Sequence, residues 1–332
     1  MHRFGYFLIL LVLLAAQNTE VRAGELKEDV LRSVRRACVE VHIGGQLRGG
    51  GAFVRDKSGK PFVITAAHLL PNPRVTCFVR TEDDESHFAS LSAYDLGSDL
   101  ALLEVDPSVK RYGTLKIAAR MPAETAPLFN FGPALNRRIL VLPGSVADAR
   151  LSYTDFSHSF GYLSHVFVSG INPVLTSGGI WVNRSGEVVG VQHGRLIGDQ
   201  GAPSSGLSMV SPTSAVAALL AGKAVARTPS LGGYVWETWT ADKSLLDELP
   251  RGIEGLVVNT VFKSRPLARI GITNFDVIVS CDGKPTRRRH EFLNQIRSKP
   301  VGSTFELEII RPGSQARKTF FLKTDCLEDL WK

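Results

Sequence analysis

Residues 172–191 read Asn172-Pro173-Val174-Leu175-Thr176-Ser177-Gly178-Gly179-Ile180-Trp181-Val182-Asn183-Arg184-Ser185-Gly186-Glu187-Val188-Val189-Gly190-Val191. Ile180–Val182 and Val188–Val191 are short apolar runs on either side of a polar turn, which reads as two strands. In front of them a hydroxyl precedes two glycines. Glycines there let the backbone turn sharply and let a carbonyl substrate come close to Ser177. A nucleophilic hydroxyl needs a base for its proton, and the base needs a carboxylate to fix its tautomer and hold its cationic form. Upstream, Ile64-Thr65-Ala66-Ala67-His68-Leu69-Leu70 offers the imidazole. Asp95-Leu96-Gly97-Ser98-Asp99-Leu100-Ala101-Leu102-Leu103 offers the carboxylate, set before an apolar run as a buried orienting group would be. Each piece alone has an ordinary explanation: a polar residue at a strand end, an element boundary, a turn. Together, in the order His68, Asp99, Ser177, they point to acyl transfer.

The surroundings are β-rich. Val39, Val41 and Ile43 alternate with Glu40 and His42, the period of a half-buried strand. Gly44–Gly51 reads as the hairpin leading to Ala52–Val54. Further runs are Pro61–Thr65, Val75–Arg80, Leu100–Val105, Ile139–Leu142 and His165–Val168. Many short strands between Gly, Pro, Asn and Asp turns predict an all-β sandwich or barrel. Ser214–Ala226, rich in Ala and Leu, predicts a helix closing this unit. Thr228-Pro229-Ser230-Leu231-Gly232-Gly233 changes the composition and reads as a linker. Beyond it, strand runs at 255–258, 277–279 and 305–310 and a helix over Thr286–Arg297 predict a second, smaller α+β unit.

The chain has 332 residues, a formal charge of +7, 44% apolar and 21% charged residues. These proportions exclude a disordered tail protein, a collagen-like repeat and a disulfide miniprotein, and the length allows two domains. His2 and Arg3, the apolar run Phe7–Ala16 and Val21-Arg22-Ala23 follow the order of a secretory signal peptide, so residues 1–23 are set apart from the fold. The apolar run is too short for a stable membrane span. The expected location is exported, periplasmic or secreted. In an oxidising compartment Cys38, Cys77, Cys281 and Cys326 have three possible pairings. Pairing within the first two and within the last two keeps bridges inside domains; four buried thiols are the alternative.

With those residues in view, the sequence resembles the HtrA (DegP-type) serine proteases over nearly all of the chain after residue 23. Residues 34–222 are similar to their trypsin-like domain and 230–323 to the PDZ domain that follows. Phe131-Gly132-Pro133, Gly144-Ser145-Val146, Ile171-Asn172-Pro173 and Ser205–Pro212 add to the match. So do Pro266–Gly271, Phe275–Val279 and Asp282-Gly283-Lys284-Pro285 in the second unit. The resemblance implies a double β-barrel with the site in the cleft between barrels, followed by a small PDZ domain. The implied bounds are 1–23 signal peptide, 24–227 protease domain, 228–324 PDZ domain and 325–332 tail. It implies His68 as general base, Asp99 as its orienter and Ser177 as nucleophile, with the N–H groups of Leu175 and Ser177 as oxyanion hole. The expected substrates are unfolded or C-terminally recognised polypeptides. The PDZ domain would take C-terminal or extended peptides as an added strand near Leu231, Gly232, Gly233 and Tyr234; those glycines serve equally well as a plain linker.

Two departures from the family pattern matter. The usual Gly-Asn-Ser-Gly-Gly-Pro is Leu175-Thr176-Ser177-Gly178-Gly179-Ile180 here, with one extra residue between Pro173 and Ser177. Leucine keeps its N–H but lacks glycine's conformational range, and one lost donor costs on the order of 10²–10³ in rate. A catalytically weak or inactive protease-like protein, acting as a PDZ peptide-binding or chaperone module, is therefore the alternative, and the backbone at Leu175 discriminates. The family's trimers use aromatic residues near the mature N-terminus. Residues 24–37 contain none and read as a short amphipathic helix packed on the barrel, so no oligomeric state is assigned.

Other signals carry little. Arg287-Arg288-Arg289-His290 reads as a solvated helix start, with no nucleic acid expected for an exported chain. His290-Glu291-Phe292-Leu293-Asn294 lacks the last ligand of a zinc helix, and no metal or other cofactor is expected. Residues 313–319 lack the glycine before lysine of a phosphate loop and read as a hairpin turn. Gln192 and His193 are unusual neighbours for a specificity pocket.

Overall fold

Strand-forming runs separated by tight turns close on themselves twice. A computed structural model of the protein describes residues 25–331, apart from 136, 157–160, 197–205 and 223. The signal segment expected at residues 1–23 lies outside the described residues. The first barrel contains β1 (Cys38–Ile43), β2 (Gln46–Arg55), β3 (Pro61–Ala66), β4 (Thr76–Arg80), β5 (Ser86–Asp95) and β6 (Leu100–Val105), closed in the order β1-β2-β3-β6-β5-β4. The second contains β7 (Pro127–Ala134), β8 (Arg137–Phe156), β9 (Gly161–Gly170), β10 (Ile180–Val182), β11 (Val188–Arg195) and β12 (Leu207–Val210), closed in the order β10-β11-β12-β9-β8-β7. Closure removes the sheet edges that would otherwise invite pairing with other chains.

Helix α1 (Glu28–Ala37) has Glu28 and Asp29 in its first turn and Arg35 and Arg36 in its last, which suits the helix dipole. It buries Val34 and Ala37 in a cluster shared by both barrels, with Phe62 and Leu102 from one and Phe131 and Val188 from the other. This is the packing expected of residues 24–37. Helix α2 (Thr213–Gly222) follows the last strand of the second barrel and buries Val216, Leu219 and Leu220 in the same cluster.

The second unit is a sheet of β14 (Gly233–Glu237), β15 (Leu256–Val261), β16 (Val277–Cys281), β18 (Thr304–Ile310) and β19 (Arg317–Lys323) in that order, with β17 (Lys284–Pro285) against β16. Helix α5 (Arg289–Arg297) packs Phe292, Leu293 and Ile296 into its core. Two shorter helices precede it, α3 (Lys243–Asp247) and α4 (Pro266–Arg269). Residues 325–331 are anchored: β20 (Asp325–Cys326) pairs with β13 (Pro229–Ser230), and Trp331 packs edge-on against Tyr94 of the first barrel at 4.7 Å. No helix among the described residues is long and apolar enough to cross a membrane.

Three readings need correction. Gly49–Gly51 are not part of the first hairpin; they lie inside β2, and only Gly44-Gly45 make the turn. The four cysteines are not bridged: all are buried free thiols. Burial pushes Cys77 up to about 11 and Cys281 up to about 12, so these thiols stay protonated near neutrality. The runs Ser86–Asp95 and Pro127–Ala134 are strands that the sequence reading passed over.

Candidate active site

His68 stands on a single 3₁₀ turn, Ala67–Leu69, directly after β3, and Asp99 in the turn between β5 and β6. Because β3 and β6 are paired partners, their ends bring the two residues together. Asp99 meets this turn three times. Its carbonyl takes Ala67 N–H at 3.1 Å, Oδ1 takes His68 N–H at 2.8 Å, and Oδ2 lies 2.6 Å from His68 Nδ1. Asp99 has φ 52°, a left-handed conformation that Asp tolerates better than most residues. Burial alone would lower the His68 pKa. The charge and hydrogen bond of Asp99 outweigh it and hold the imidazole above its ordinary value.

Ser177 and Gly178 form the middle of a turn closed by Gly179 N–H to Thr176 O at 2.9 Å. The turn rests on β2: Gly50 N–H donates to Ser177 O at 2.8 Å, and a Cβ on Gly49 would fall 2.2 Å from that same oxygen. Gly178, at φ 77°, comes so near Gly50 O that a Cβ would lie 2.1 Å from it, and 3.0 Å from a Leu69 methyl. Only glycine fits there. The turn bearing Ser177 thus packs on the residue following His68, and Ser177 itself is half-buried.

Leu175 has φ 73°, the left-handed region that glycine enters freely and that costs other residues roughly 1–2 kcal/mol. Neighbouring bonds hold it there. Val174 O accepts Leu135 N–H at 3.2 Å, Thr176 Oγ1–H donates to Pro173 O at 2.8 Å and also bonds Asn172 Oδ1, and Gly178 N–H donates to Gln192 O at 2.7 Å. At about 0.5–1.5 kcal/mol net each, these bonds outweigh the strain. Substitution of the expected glycine has not straightened the loop. Among the described residues, no backbone carbonyl accepts from Leu175 N–H or Ser177 N–H.

Of the neighbours the sequence marked as unusual, Gln192 is structural: its Oε1 accepts the buried Trp181 indole N–H at 2.7 Å. His193 was missed. It is buried with Nδ1 3.8 Å from Asp99 Oδ2, the same oxygen that meets His68, and its ring lies 5.9 Å from that of buried His165. Neither ring nitrogen of His193 meets a hydrogen-bond partner among the described residues. Burial pulls His193 down to about 4 against the raising effect of Asp99, and pulls His165 down to about 3. Both are neutral at neutral pH, so Asp99 faces one imidazole that shares its charge and one that does not. A histidine inside a strand leaves no sequence signal for such a contact.

In the second unit, Leu231 is buried, and Leu231 O and Gly232 O accept Leu267 N–H at 3.0 Å and Phe262 N–H at 2.9 Å. Gly232 has φ 74°, and a Cβ there would lie 2.2 Å from Arg265 Cβ. Gly233 opens β14, and Tyr234 stacks edge-on between Tyr162 and Phe262, with ring centres 5.3 and 5.1 Å away.

A family model described as a trypsin-like peptidase domain matches residues 49–191, and one described as a PDZ domain matches residues 223–322. Among curated proteins, the chain is 30% identical over 282 residues to a probable periplasmic serine endoprotease DegP-like of Pseudomonas fulva, covering 81% of this chain and 54% of that protein. It is 25% identical to the periplasmic serine endoprotease DegP of Escherichia coli K12, covering 80% and 55%. Against the serine endoprotease DegS of the same organism it is 23% identical, covering 80% and 74%. The chain thus spans about half the length of the DegP-type relatives it matches. Among solved structures, the HtrA-type protease AlgW with a decapeptide aligns with a TM-score of 0.63 at 16% identity over 90% of this chain and 98% of that one. The serine endoprotease from Yersinia pestis aligns at 0.58 and 20% identity over 91% and 99%. These structures share the fold.

Proposed function

Because the chain belongs to the HtrA-type serine proteases, a trypsin-like peptidase domain followed by a PDZ domain, we propose that it is an exported serine endopeptidase acting on unfolded or C-terminally recognised polypeptides. The relatives described as periplasmic support a location outside the cytoplasm. The reading divides the chain into residues 24–227 for hydrolysis, 228–324 for peptide recognition and 325–332 as the C-terminal segment.

One observation carries the proposal: Asp99 grips His68 through both the backbone N–H and the ring, directly beside the Ser177 turn. In this mechanism Ser177 Oγ attacks the scissile carbonyl and His68 takes its proton. Asp99 stabilises the imidazolium that forms, and His68 then returns the proton to the leaving amine. The N–H groups of Leu175 and Ser177 stabilise the oxyanion, each worth on the order of 10²–10³ in rate. Water repeats the attack on the acyl-enzyme. The PDZ domain would add an extended or C-terminal peptide beside β14.

The test is hydrolysis of casein and labelling by a fluorophosphonate probe, with the chain lacking residues 1–23. Ser177→Ala is expected to abolish both; equal rates in the two proteins remove Ser177 as nucleophile. The base must be neutral to act, and Asp99 raises its pKa, so the acid limb of kcat/KM is expected above the titration point of a free imidazole. Asp99→Asn should move that limb to lower pH and cut kcat by several orders of magnitude.

A further inference from the structure

Strand β14 is an edge of the second sheet, and an edge strand presents unpaired N–H and C=O groups outward. Here one side chain of the protease unit already meets them. The Tyr162 hydroxyl accepts Val235 N–H at 2.5 Å and donates to Val235 O at 2.8 Å, the two groups that a peptide strand would bond. Tyr162 and Tyr153, from the β8–β9 ribbon, are buried in the core of the second unit with Leu231, Val235, Phe292 and Ile296. Helix α5 grips the same ribbon: Tyr153 O–H donates to Asn294 Oδ1 at 2.6 Å, the Arg289 guanidinium lies 5.8 Å from the Tyr162 ring centre, and that of Arg297 lies 4.9 Å from the Tyr153 ring centre. The space between β14 and α5 is filled from within the chain.

Arg297 also reaches past the ribbon. Its guanidinium donates to Tyr162 O and, at 3.1 Å, to Gly97 O. Gly97 stands two residues before Asp99. Its carbonyl also takes Ser164 N–H at 2.7 Å, and Ser164 Oγ lies 3.0 Å from Ser98 Oγ. At the start of the same turn Asp95 Oδ1 accepts Ser98 N–H at 3.0 Å. One cation on the second unit therefore holds the carbonyl at the middle of the turn that presents Asp99.

We propose that Arg297 is a positioning residue for the Asp99 turn, held in place by Tyr162, whose hydroxyl occupies the backbone groups of the β14 edge. This rests on the hydrolase reading above and specifies how its second domain acts on it.

The test uses the chain lacking residues 1–23, with Arg297→Ala, Arg297→Lys, Tyr162→Phe and the Ala/Phe double variant. Casein kinetics and amide hydrogen exchange are read together. Arg297→Ala is expected to lower kcat five- to tenfold at unchanged KM and to speed exchange at Ser98 and His68 at least tenfold; Arg297→Lys restores part of both. Tyr162→Phe speeds exchange at Val235. The double variant is no slower than Arg297→Ala alone, because both changes release one brace. A kcat within twofold of wild type for Arg297→Ala, unchanged exchange at Ser98, or multiplying losses in the double variant each overturn the proposal. If Arg297→Ala does not fold, Arg297→Lys and Tyr162→Phe supply the same readings. A wild type inert toward casein, with Ser98 loosened in the variant, sinks the hydrolase reading and leaves the brace standing.

Discussion

Leu175 shows how a single residue decides between two functional readings. At φ 73° it occupies a conformation open to glycine and strained for leucine. Leu175→Gly is expected to relieve about 1 kcal/mol of strain, offset in part by the greater freedom of glycine in the unfolded chain, and to leave kcat at or above the wild-type value. Leu175→Val is the informative contrast. A β-branched residue is a genuine outlier at positive φ, so the turn should rearrange, withdraw an oxyanion donor and lower kcat by on the order of 10²–10³ while Tm changes little. Casein kinetics and thermal melts of the two variants check this, and a Val variant as active as wild type would remove Leu175 N–H from the mechanism. His68, Asp99 and Ser177 could be named as candidates from the sequence because the proposed nucleophile, base and orienter must be particular residue types, and the structure pairs His68 with Asp99. His193 could not be: its contact with Asp99 is a long-range packing event between β11 and the β5–β6 turn, and a buried neutral imidazole obeys no local pattern.

At the scale of elements, β2 does more than close a barrel. The glycines read as a loose hairpin lie inside the strand because the Ser177 turn needs a backbone without side chains to rest on. Gly49 and Gly45 separate the two uses of glycine. Gly45, at φ 77° with open space around it, serves only the hairpin, so Gly45→Ala should cost about 1 kcal/mol and leave activity unchanged. A methyl on Gly49 would meet Ser177 O at 2.2 Å, so Gly49→Ala should cost ~1–3 kcal/mol and also displace the proposed nucleophile, lowering kcat at least tenfold. Urea unfolding with casein kinetics on both variants tests this. The β8–β9 ribbon was the least legible element. Ile139–Leu142 and His165–Val168 were visible as apolar runs, but the outer pairing of 152–156 with 161–165 was not. That outer part carries polar residues such as Ser152, Thr154 and Asp155, and its two tyrosines are buried by a domain about a hundred residues downstream. Alternation within the ribbon cannot report a face covered from elsewhere.

Across the whole molecule, burial is spent on polar groups at the junction as well as on apolar cores. Glu328, in the segment expected to be a tail, is buried with Oε1 and Oε2 accepting Thr228 Oγ1–H and N–H, both at 2.8 Å. His165 and His193 lie behind the site as neutral rings. Their effect on stability has a definite sign. Between pH 6.5 and about 4 the unfolded chain protonates both, while the folded chain protonates neither until about 4 for His193 and about 3 for His165. The unfolded state then binds more protons, so stability falls as pH falls, by up to ~1.4 kcal/mol per unit for each ring. His68 acts oppositely. Its raised pKa adds stability that is full below the unfolded value and is lost as pH rises through the folded one. Between pH 6 and 5 the two lowered rings set the sign of the histidine contribution, which is expected to reduce the urea unfolding free energy as pH falls, while the raised Asp95 and Glu328 carboxyls act in the opposite direction. His193→Gln should flatten that slope by about half of the histidine contribution, ~1.4 kcal/mol per pH unit. An unchanged slope would mean that His193 is already solvated in the folded protein, and Asp99 would then face water where the structure places a dry imidazole.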